Sequence, residues 1–450
     1  MPNETRSGRR HRLGVVRGSA LYVGALIGPG LLLVPALGVQ AAGPASILAW
    51  GALLLLSAPL AATFAVLGVR YPVSGGVAAY VRAGLGDAAA AVTGGWFLTA
   101  VAIGGPAVSL IGGYYVADLT ASGPVVAPIV ALAMFGSVLA TNALGLRLSS
   151  ALQLGLSSIL VAVLAIAIAV AIPERGGANW TPFAPHGWWA VGTAANVLVW
   201  LFVGWEAVAQ LAGEFRRPSV DLPRAMVVAF VVVTALYISV AVATIGVAGN
   251  SLSRVPLADL VSVGFGRVGR DATAVLAVAL TMGTMNVYMA GAARLTVELA
   301  ATGAVPHWLG DSRRTVPLRP LAVLAVIGLA LLGALAGGLL NATEIVRATS
   351  SLFVGVYVLA IASAVRILRG RARATAVAAV IMVAIVGFFS GWYILVPAVA
   401  AGLSLLQWAG HRWLPAIWGG LGTRGHPVPS DRSESRLSGE QLPDGGGKVV

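Results

Sequence analysis

Long stretches without a charged residue alternate along the chain with short clusters of charge. The first such stretch lies between Arg17 and Arg70, and the Gly43-Pro44 pair divides it into two helices. Each later interval can hold a helix of the ~20 apolar residues that a bilayer crossing needs. These intervals are Asp87 to Asp118, Asp118 to Arg147, Arg147 to Glu174, Trp188 to Phe215, Arg224 to Arg254, Asp271 to Arg294, Arg319 to Glu344, Arg347 to Arg366, and, at double length with a break at Ser390-Gly391, Arg373 to Arg412. The pattern predicts an all-α membrane protein with twelve transmembrane helices.

The twelve predicted helices suggest two sets of five followed by two extra helices. Because five is an odd number of crossings, the second set runs upside down relative to the first, as in an inverted repeat. The expected segments are a basic cytoplasmic N-terminus (1–12), a first repeat (13–173), an extracytoplasmic loop (174–187), a second repeat (188–366), helices eleven and twelve (374–411), and a cytoplasmic, largely disordered tail (412–450).

Composition and charge support a location in the membrane. Hydrophobic residues make up 58% of the chain and charged residues only 10%, too few for the surface of a soluble domain of this length. Cytoplasmic loops carry the excess of Arg and Lys, and a cytoplasmic N-terminus leaves few arginines outside. These are Arg175, Arg254, Arg267, Arg270 and Arg347. We therefore expect a multi-pass protein of the inner (plasma) membrane with both termini cytoplasmic, and the loop bias explains the net charge of +13 without a nucleic-acid partner.

The sequence lacks the residues that several classes of chemistry require. There is no cysteine, and the five histidines fall in loops, tails or helix ends without metal-ligand spacing. A Gly-x-Ser-x-Gly elbow and a phosphate-binding Gly-Lys loop are also missing. We expect no cofactor, no metal and no enzymatic activity. A membrane-embedded enzyme would need a polar catalytic cluster, and a channel or receptor would need a polar pore stripe or an ectodomain. An enzyme or a channel of this kind remains a remote alternative.

Two predicted helices contain residues that interrupt a helix. Helix one carries Gly24-Ala-Leu-Ile-Gly-Pro-Gly30, and helix six carries Trp200-Leu-Phe-Val-Gly-Trp-Glu206 at a comparable depth. Proline removes a backbone donor and clashes with the preceding turn, and glycine favours no particular conformation. One such site could be a kink or a close-packing Gly-xxx-Gly face. A break in the first helix of each half instead indicates a transporter binding site near the bilayer midplane.

An amino-acid zwitterion suits the backbone groups that such breaks release. Its carboxylate fits the positive N-terminal end of a half-helix, and its ammonium group fits the freed carbonyl oxygens. The sequence therefore predicts a secondary transporter for a small polar solute, most simply an amino acid, embedded in the lipid bilayer.

Residues 13 to 411 resemble the amino acid–polyamine–organocation (APC) transporters. The resemblance rests on the order of several segments, which are Leu26-Ile-Gly-Pro-Gly-Leu-Leu-Leu-Val-Pro35, Tyr71-Pro-Val-Ser-Gly-Gly-Val-Ala-Ala-Tyr80, Phe202-Val-Gly-Trp-Glu-Ala207, Glu214-Phe-Arg-Arg-Pro218, Asp221-Leu-Pro-Arg-Ala225 and Gly303-Ala-Val-Pro306. It implies the LeuT-type fold of two inverted five-helix repeats, with helices one and six broken and two extra helices at the C-terminal end. Within that family the chain is most similar to bacterial exporters of methionine and branched-chain amino acids, which implies efflux of a neutral, apolar amino acid.

The resemblance also implies roles for individual residues. The substrate-binding residues it implies are Gly28 and Gly30 at the carboxylate, the carbonyls of Leu26 and Ile27 at the ammonium group, and Phe202, Val203 and Gly204 on helix six. Trp200 matches a gating aromatic, with ordinary packing as the alternative role. Asn286 falls at a side-chain-recognition position, and an interhelical hydrogen bond is its alternative role.

Departures from the family pattern affect the expected coupling. Pro29 stands where relatives usually have a hydroxyl residue, so the carboxylate contact must depend on the backbone. Ala290-Gly-Ala-Ala293 lacks the hydroxyls of a sodium site, which leaves proton coupling or exchange. Glu206 is the expected proton-responsive group, because a mid-membrane acid without a nearby cation favours its neutral form. A permanently protonated, structural Glu206 is the alternative, and the same fold can also run as an importer or exchanger.

Overall fold

The computed structural model describes residues 13–70, 76–123, 125–146, 150–171, 177–206, 215–248, 253–310 and 316–419. Regular secondary structure in these ranges is helical, apart from an isolated bridge between Leu13 and Phe215. The predictions for residues 1–12, 71–75, 207–214 and 420–450 fall outside the described residues. The described residues up to Trp408 form one compact unit, and residues 409–419 belong to a second.

The helices of the first half begin with two short pieces and continue with longer ones. They are α1 (Val15–Leu26), α2 (Val34–Ala42), α3 (Ser46–Arg70), α4 (Gly76–Leu85), α5 (Asp87–Leu119), α6 (Val126–Ala143) and α7 (Ser150–Ala171). A 3₁₀ turn, Pro29–Leu32, joins α1 to α2.

The helices of the second half again begin with a short piece. They are α8 (Trp189–Leu198), α9 (Pro218–Ala248), α10 (Pro256–Ala301), α11 (Leu318–Ala336), α12 (Ala342–Ile367), α13 (Gly370–Phe388) and α14 (Leu395–Gly419). A 3₁₀ turn, Val199–Phe202, follows α8. The last helix thus extends to Gly419, into the segment for which the sequence predicts a tail.

Ten helical stretches among the described residues are long and apolar enough to cross a membrane. Two shorter apolar helices, Val15–Leu26 and Trp189–Phe202, lie where the sequence predicts broken helices. The protein is therefore an all-helical, multi-pass membrane protein.

Local signals explain where several helices begin and bend. α12 starts with a capping box, in which Asn341 Oδ1 accepts from the Glu344 N–H at 3.0 Å and Glu344 Oε2 accepts from the Asn341 N–H at 2.7 Å. α10 starts with Pro256, whose missing N–H would have no helical partner there. Gly266, at φ 54°, bends α10 near its start.

The broken segments are held between long helices. The first piece, α1, packs mainly against α9, whereas α2 packs against α8. The long helix α5 packs against both α10 and α12, and these three helices surround the breaks. Arg270 ties the end of α5 to the start of α10, because it donates to Asp118 at 2.6 and 2.7 Å and to Asp259 at 2.9 Å.

Candidate functional site

The first break lies between α1 and α2. The helical hydrogen bonds end with the Ile27 N–H, which donates to the Val23 carbonyl at 2.8 Å. Ile27 and Gly28 are then extended, with φ of −91° and −121°. Pro29 cannot continue the helix because it has no N–H, and a 3₁₀ turn follows instead. The helical hydrogen bonding of the backbone is thus interrupted between Leu26 and Gly30, where α1 ends and the 3₁₀ turn begins.

The second break follows α8. After the 3₁₀ turn the chain becomes extended at Val203, and Gly204 takes a φ of 138°, which L side chains rarely adopt. A Cβ at Gly204 would also lie 2.9 Å from the backbone oxygen of Ala25. Glycine is therefore required at this position both by its backbone conformation and by its contact with α1.

The two breaks touch each other, and Tyr237 of α9 joins them. Its hydroxyl lies 2.9 Å from the Leu26 carbonyl oxygen and 2.7 Å from the Leu201 carbonyl oxygen. The tyrosine ring is fully buried and packs edge-on against Phe202, with 5.2 Å between the ring centroids. Tyr237 therefore supplies a hydrogen-bond partner for carbonyls that the interrupted helices leave free.

Glu206 lies at the end of the second break, with 4% of its surface exposed. Its Oε2 accepts from the Gly204 N–H at 2.9 Å and from the Tyr357 hydroxyl of α12 at 2.5 Å. None of the ion pairs between described residues includes Glu206. The carboxyl group thus links the broken helix to α12 without a compensating cation.

A cavity of about 270 Å³ lies between the two breaks. This is slightly below the ~300 Å³ at which pockets for drug-sized ligands begin, so the cavity suits a small solute. Its lining is mostly apolar, and its members include Phe97, Ala100, Val101, Gly104, Val108, Leu201, Val287 and Phe353. Polar side chains of the lining are Gln153, Glu206, Thr284, Tyr288 and Thr349. Backbone polar groups and few polar side chains therefore face a largely apolar space.

Most residues that the sequence singles out border this cavity. They are Leu26, Gly28, Gly30, Trp200, Val203, Gly204 and Glu206. Ile27 and Phe202 are buried behind the lining. Asn286 lies outside it and faces α6, where its Nδ2 donates to Thr141 Oγ1 at 3.2 Å. These contacts support the interhelical role of Asn286.

Sequence reasoning missed the side chains that satisfy the breaks and part of the polar lining. Tyr237 and Tyr357 are polar residues within largely apolar helices. Gln153 of α7 is another, and its Nε2 donates to Thr284 Oγ1 of α10 at 3.0 Å. A polar residue in an apolar run is the available signal for such positions, because it must face protein or a cavity.

A second cavity of about 720 Å³ follows the first along α5 and α12. It is more polar, and two arginines line it. Arg254 stacks over Tyr114 at 5.0 Å, and Arg347 stacks over Tyr393 at 4.5 Å. A second, more polar space therefore lies beside the apolar cavity.

Two touching helix breaks around a small cavity, in a multi-pass helical protein, define a membrane transporter rather than an enzyme. The amino acid permease family model matches residues 13–428, and the chain belongs to this family. The resemblance inferred from the sequence is therefore confirmed.

The relatives bear transporter names. An uncharacterized amino acid permease of Bacillus subtilis, YecA, is 34% identical over 395 residues, which cover 86% of this chain and 92% of that protein. The L-methionine/branched-chain amino acid exporter YjeH of Escherichia coli is 30% identical over 412 residues, covering 89% and 97%. The branched-chain amino acid permease BcaP of Bacillus subtilis is 27% identical over 257 residues, covering 53% and 55%. Amino acid transport is the activity that these names share.

Proposed function

We propose that this protein is a proton-coupled secondary transporter that exports a neutral, mostly apolar amino acid such as methionine or a branched-chain amino acid. The observation that carries the proposal is the apolar cavity between two touching helix breaks. A solute there meets backbone groups on one side and apolar side chains on the other, which matches the two ends of an apolar amino acid.

In the proposed complex, the breaks bind the amino-acid backbone. The N–H groups of Gly28 and Gly30 lie at the start of the 3₁₀ turn, where a carboxylate is favoured. The carbonyls of Leu26 and Ile27 lie at the C-terminal end of α1, where an ammonium group is favoured. Val203 and Gly204 form the opposite wall, supported by Phe202. The Leu26 carbonyl can accept from both Tyr237 and the substrate because a carbonyl oxygen has two lone pairs.

The apolar part of the lining then selects the side chain of the substrate. Phe97, Ala100, Val101 and Phe353 offer no charge to a guanidinium or a second ammonium group. Among the residues that the structure describes, Glu206 is the one acidic side chain that borders the cavity, and its Oε2 is already bonded to Gly204 and Tyr357. A neutral side chain is therefore the better match.

Glu206 is the proposed coupling residue, and Trp200 is the proposed gate. Loss or gain of a proton at Glu206 changes its bond with Tyr357, and so the link between the second break and α12. Trp200 lines the cavity near Gly104, within 3.9 Å of a Cβ placed there. This position supports a role in closing the cavity.

We further propose the twelve-helix LeuT-type arrangement with both termini in the cytoplasm. Helix one then comprises α1 and α2, helix six begins with α8, and α4 is a helix outside the membrane. The remaining helices of the described residues supply the other spans. Export is favoured by the name of the relative YjeH, and import or exchange by the same fold is the alternative.

Reconstituted vesicles test the substrate, the direction and the coupling. Vesicles loaded with labelled leucine or methionine should release it faster with the protein than without it, and an imposed pH gradient should change the rate. Unlabelled methionine or leucine should compete better than arginine or lysine. Stronger competition by arginine, or release that ignores the pH gradient, would contradict the proposed substrate class or the proposed coupling, respectively.

A further inference from the structure

An apolar groove on the outer surface, between α3 and α9, lies apart from the transport cavity. Its volume is about 670 Å³. Small and apolar side chains line it, which are Ala58, Ala61, Ala62, Ala65, Val66, Val69, Pro223, Met226, Val227 and Phe230. Arg70 and Ser219 line the same groove and lie at the C-terminal end of α3 and the N-terminal end of α9. One end of the groove is therefore basic and the remainder apolar.

The length of this groove matches one leaflet of a bilayer. Twelve residue steps separate Ala58 from Arg70 on α3, which at 1.5 Å per residue give ~18 Å. Eleven steps separate Ser219 from Phe230 on α9 and give ~16 Å. Half of a bilayer's hydrocarbon core is ~15 Å thick. An acyl chain that starts at the basic end would thus reach the far end of the groove.

The charge at the basic end favours an anionic headgroup. Arg70 and Arg224, which follows the groove residue Pro223, are both exposed. Neither takes part in an ion pair with another described residue. Two arginines without a carboxylate partner, beside an apolar groove of leaflet length, complement a negatively charged lipid. We propose that this groove binds an anionic phospholipid, with its headgroup at Arg70 and Arg224 and an acyl chain along α3 and α9.

The groove also connects to the second helix break. Phe230, which lines the groove, lies 6.3 Å from Trp205 between ring centroids. Trp205 is fully buried and stands between Gly204 and Glu206 in the chain. Tyr237, whose hydroxyl bonds carbonyl groups of both breaks, lies two turns beyond Phe230 on α9. A lipid chain against Phe230 would therefore touch a ring that packs on Trp205 beside the break.

Lipid retention by the purified full-length protein tests the proposal without any assumption about the transported solute. The protein is extracted from vesicles containing equal amounts of phosphatidylglycerol and phosphatidylcholine, and native mass spectrometry counts the lipids retained. Wild type should retain phosphatidylglycerol selectively. Arg70→Gln and Arg224→Gln should each weaken that retention about fivefold, the effect of one basic residue at an anionic surface.

A variant that fills the groove separates the groove from general surface charge. Ala62 is exposed within the groove, so Ala62→Trp should block the acyl chain and abolish selective retention. The matched control is Leu48→Trp, at an exposed position near the other end of α3, which should retain the lipid as wild type does. Equal retention of both lipids by wild type, or full retention by the Arg70→Gln/Arg224→Gln double variant, would overturn the proposal.

Discussion

Replacement of Gly204 and Gly28 by alanine should separate the two uses of glycine in the breaks. Both glycines border the central cavity. At Gly204 the φ of 138° strains any residue with a side chain, and a Cβ would lie 2.9 Å from the Ala25 oxygen, which belongs to the backbone and cannot rotate away. At Gly28 the backbone is extended, and a Cβ would meet no atom within 4 Å. The methyl group of Gly204→Ala therefore overlaps backbone atoms, whereas that of Gly28→Ala lies in open space.

The two substitutions should differ clearly in stability. A residue held in a sparsely populated backbone region costs ~1–3 kcal/mol, and the overlap with Ala25 adds to this cost in Gly204→Ala. Gly28→Ala adopts an allowed conformation and restricts the unfolded chain, which stabilises by ~0.4–1 kcal/mol. The expected gap between the variants is therefore ~2–4 kcal/mol. Gly204→Leu should lose transport altogether while still inserting into the membrane.

Thermal unfolding in detergent and leucine efflux from vesicles measure the two effects separately. Gly204→Ala should unfold at a lower temperature than wild type. Gly28→Ala should unfold at a slightly higher temperature than wild type but transport more slowly, because its methyl group occupies substrate space. Equal unfolding temperatures for the two variants would refute the steric reasoning, and wild-type efflux by Gly28→Ala would remove Gly28 from the substrate site.

Three further changes test other parts of the reasoning. Tyr237→Phe leaves the Leu26 and Leu201 carbonyls without a hydroxyl partner, which should destabilise the protein by ~1–3 kcal/mol; wild-type thermal stability would show that other donors replace it. Glu206→Gln keeps both hydrogen bonds but cannot titrate, so exchange should persist while its pH dependence disappears, and an unchanged pH profile would make Glu206 a structural residue. Reporter domains fused after Arg217 and after the C-terminal residue should both report the cytoplasm, and an extracytoplasmic signal from either would overturn the proposed topology.

The positions of the breaks could be predicted from sequence because glycine and proline act locally. Pro29 lacks its N–H in any environment, and glycine at Gly28 and Gly204 lowers the cost of leaving a helix. The capping box of Asn341 and Glu344 is equally local. Such signals need no knowledge of neighbouring helices.

The partners of the breaks could not be predicted, since they depend on which way a helix faces. Tyr237 and Asn286 are both polar residues in apolar helices, and their spacing in the sequence does not distinguish their roles. Their helices direct Tyr237 towards the breaks and Asn286 towards Thr141. The rotation of each helix about its own axis is set by packing between distant segments. Only the assembled fold therefore distinguishes a binding-site residue from one that bonds two helices together.

Three backbone groups at the breaks are already bonded to side chains before any substrate binds. The Leu26 and Leu201 carbonyls share the single hydroxyl hydrogen of Tyr237, and Glu206 accepts from the Gly204 N–H. Leaving each of these groups unpaired would cost ~1–3 kcal/mol, whereas a second hydrogen bond to a satisfied group adds a net ~0.5–1.5 kcal/mol. These bonds support the breaks in the empty protein, and at these three groups a substrate gains only the smaller increment. A transporter must release its substrate on the other side, and such a site binds it weakly enough to do so.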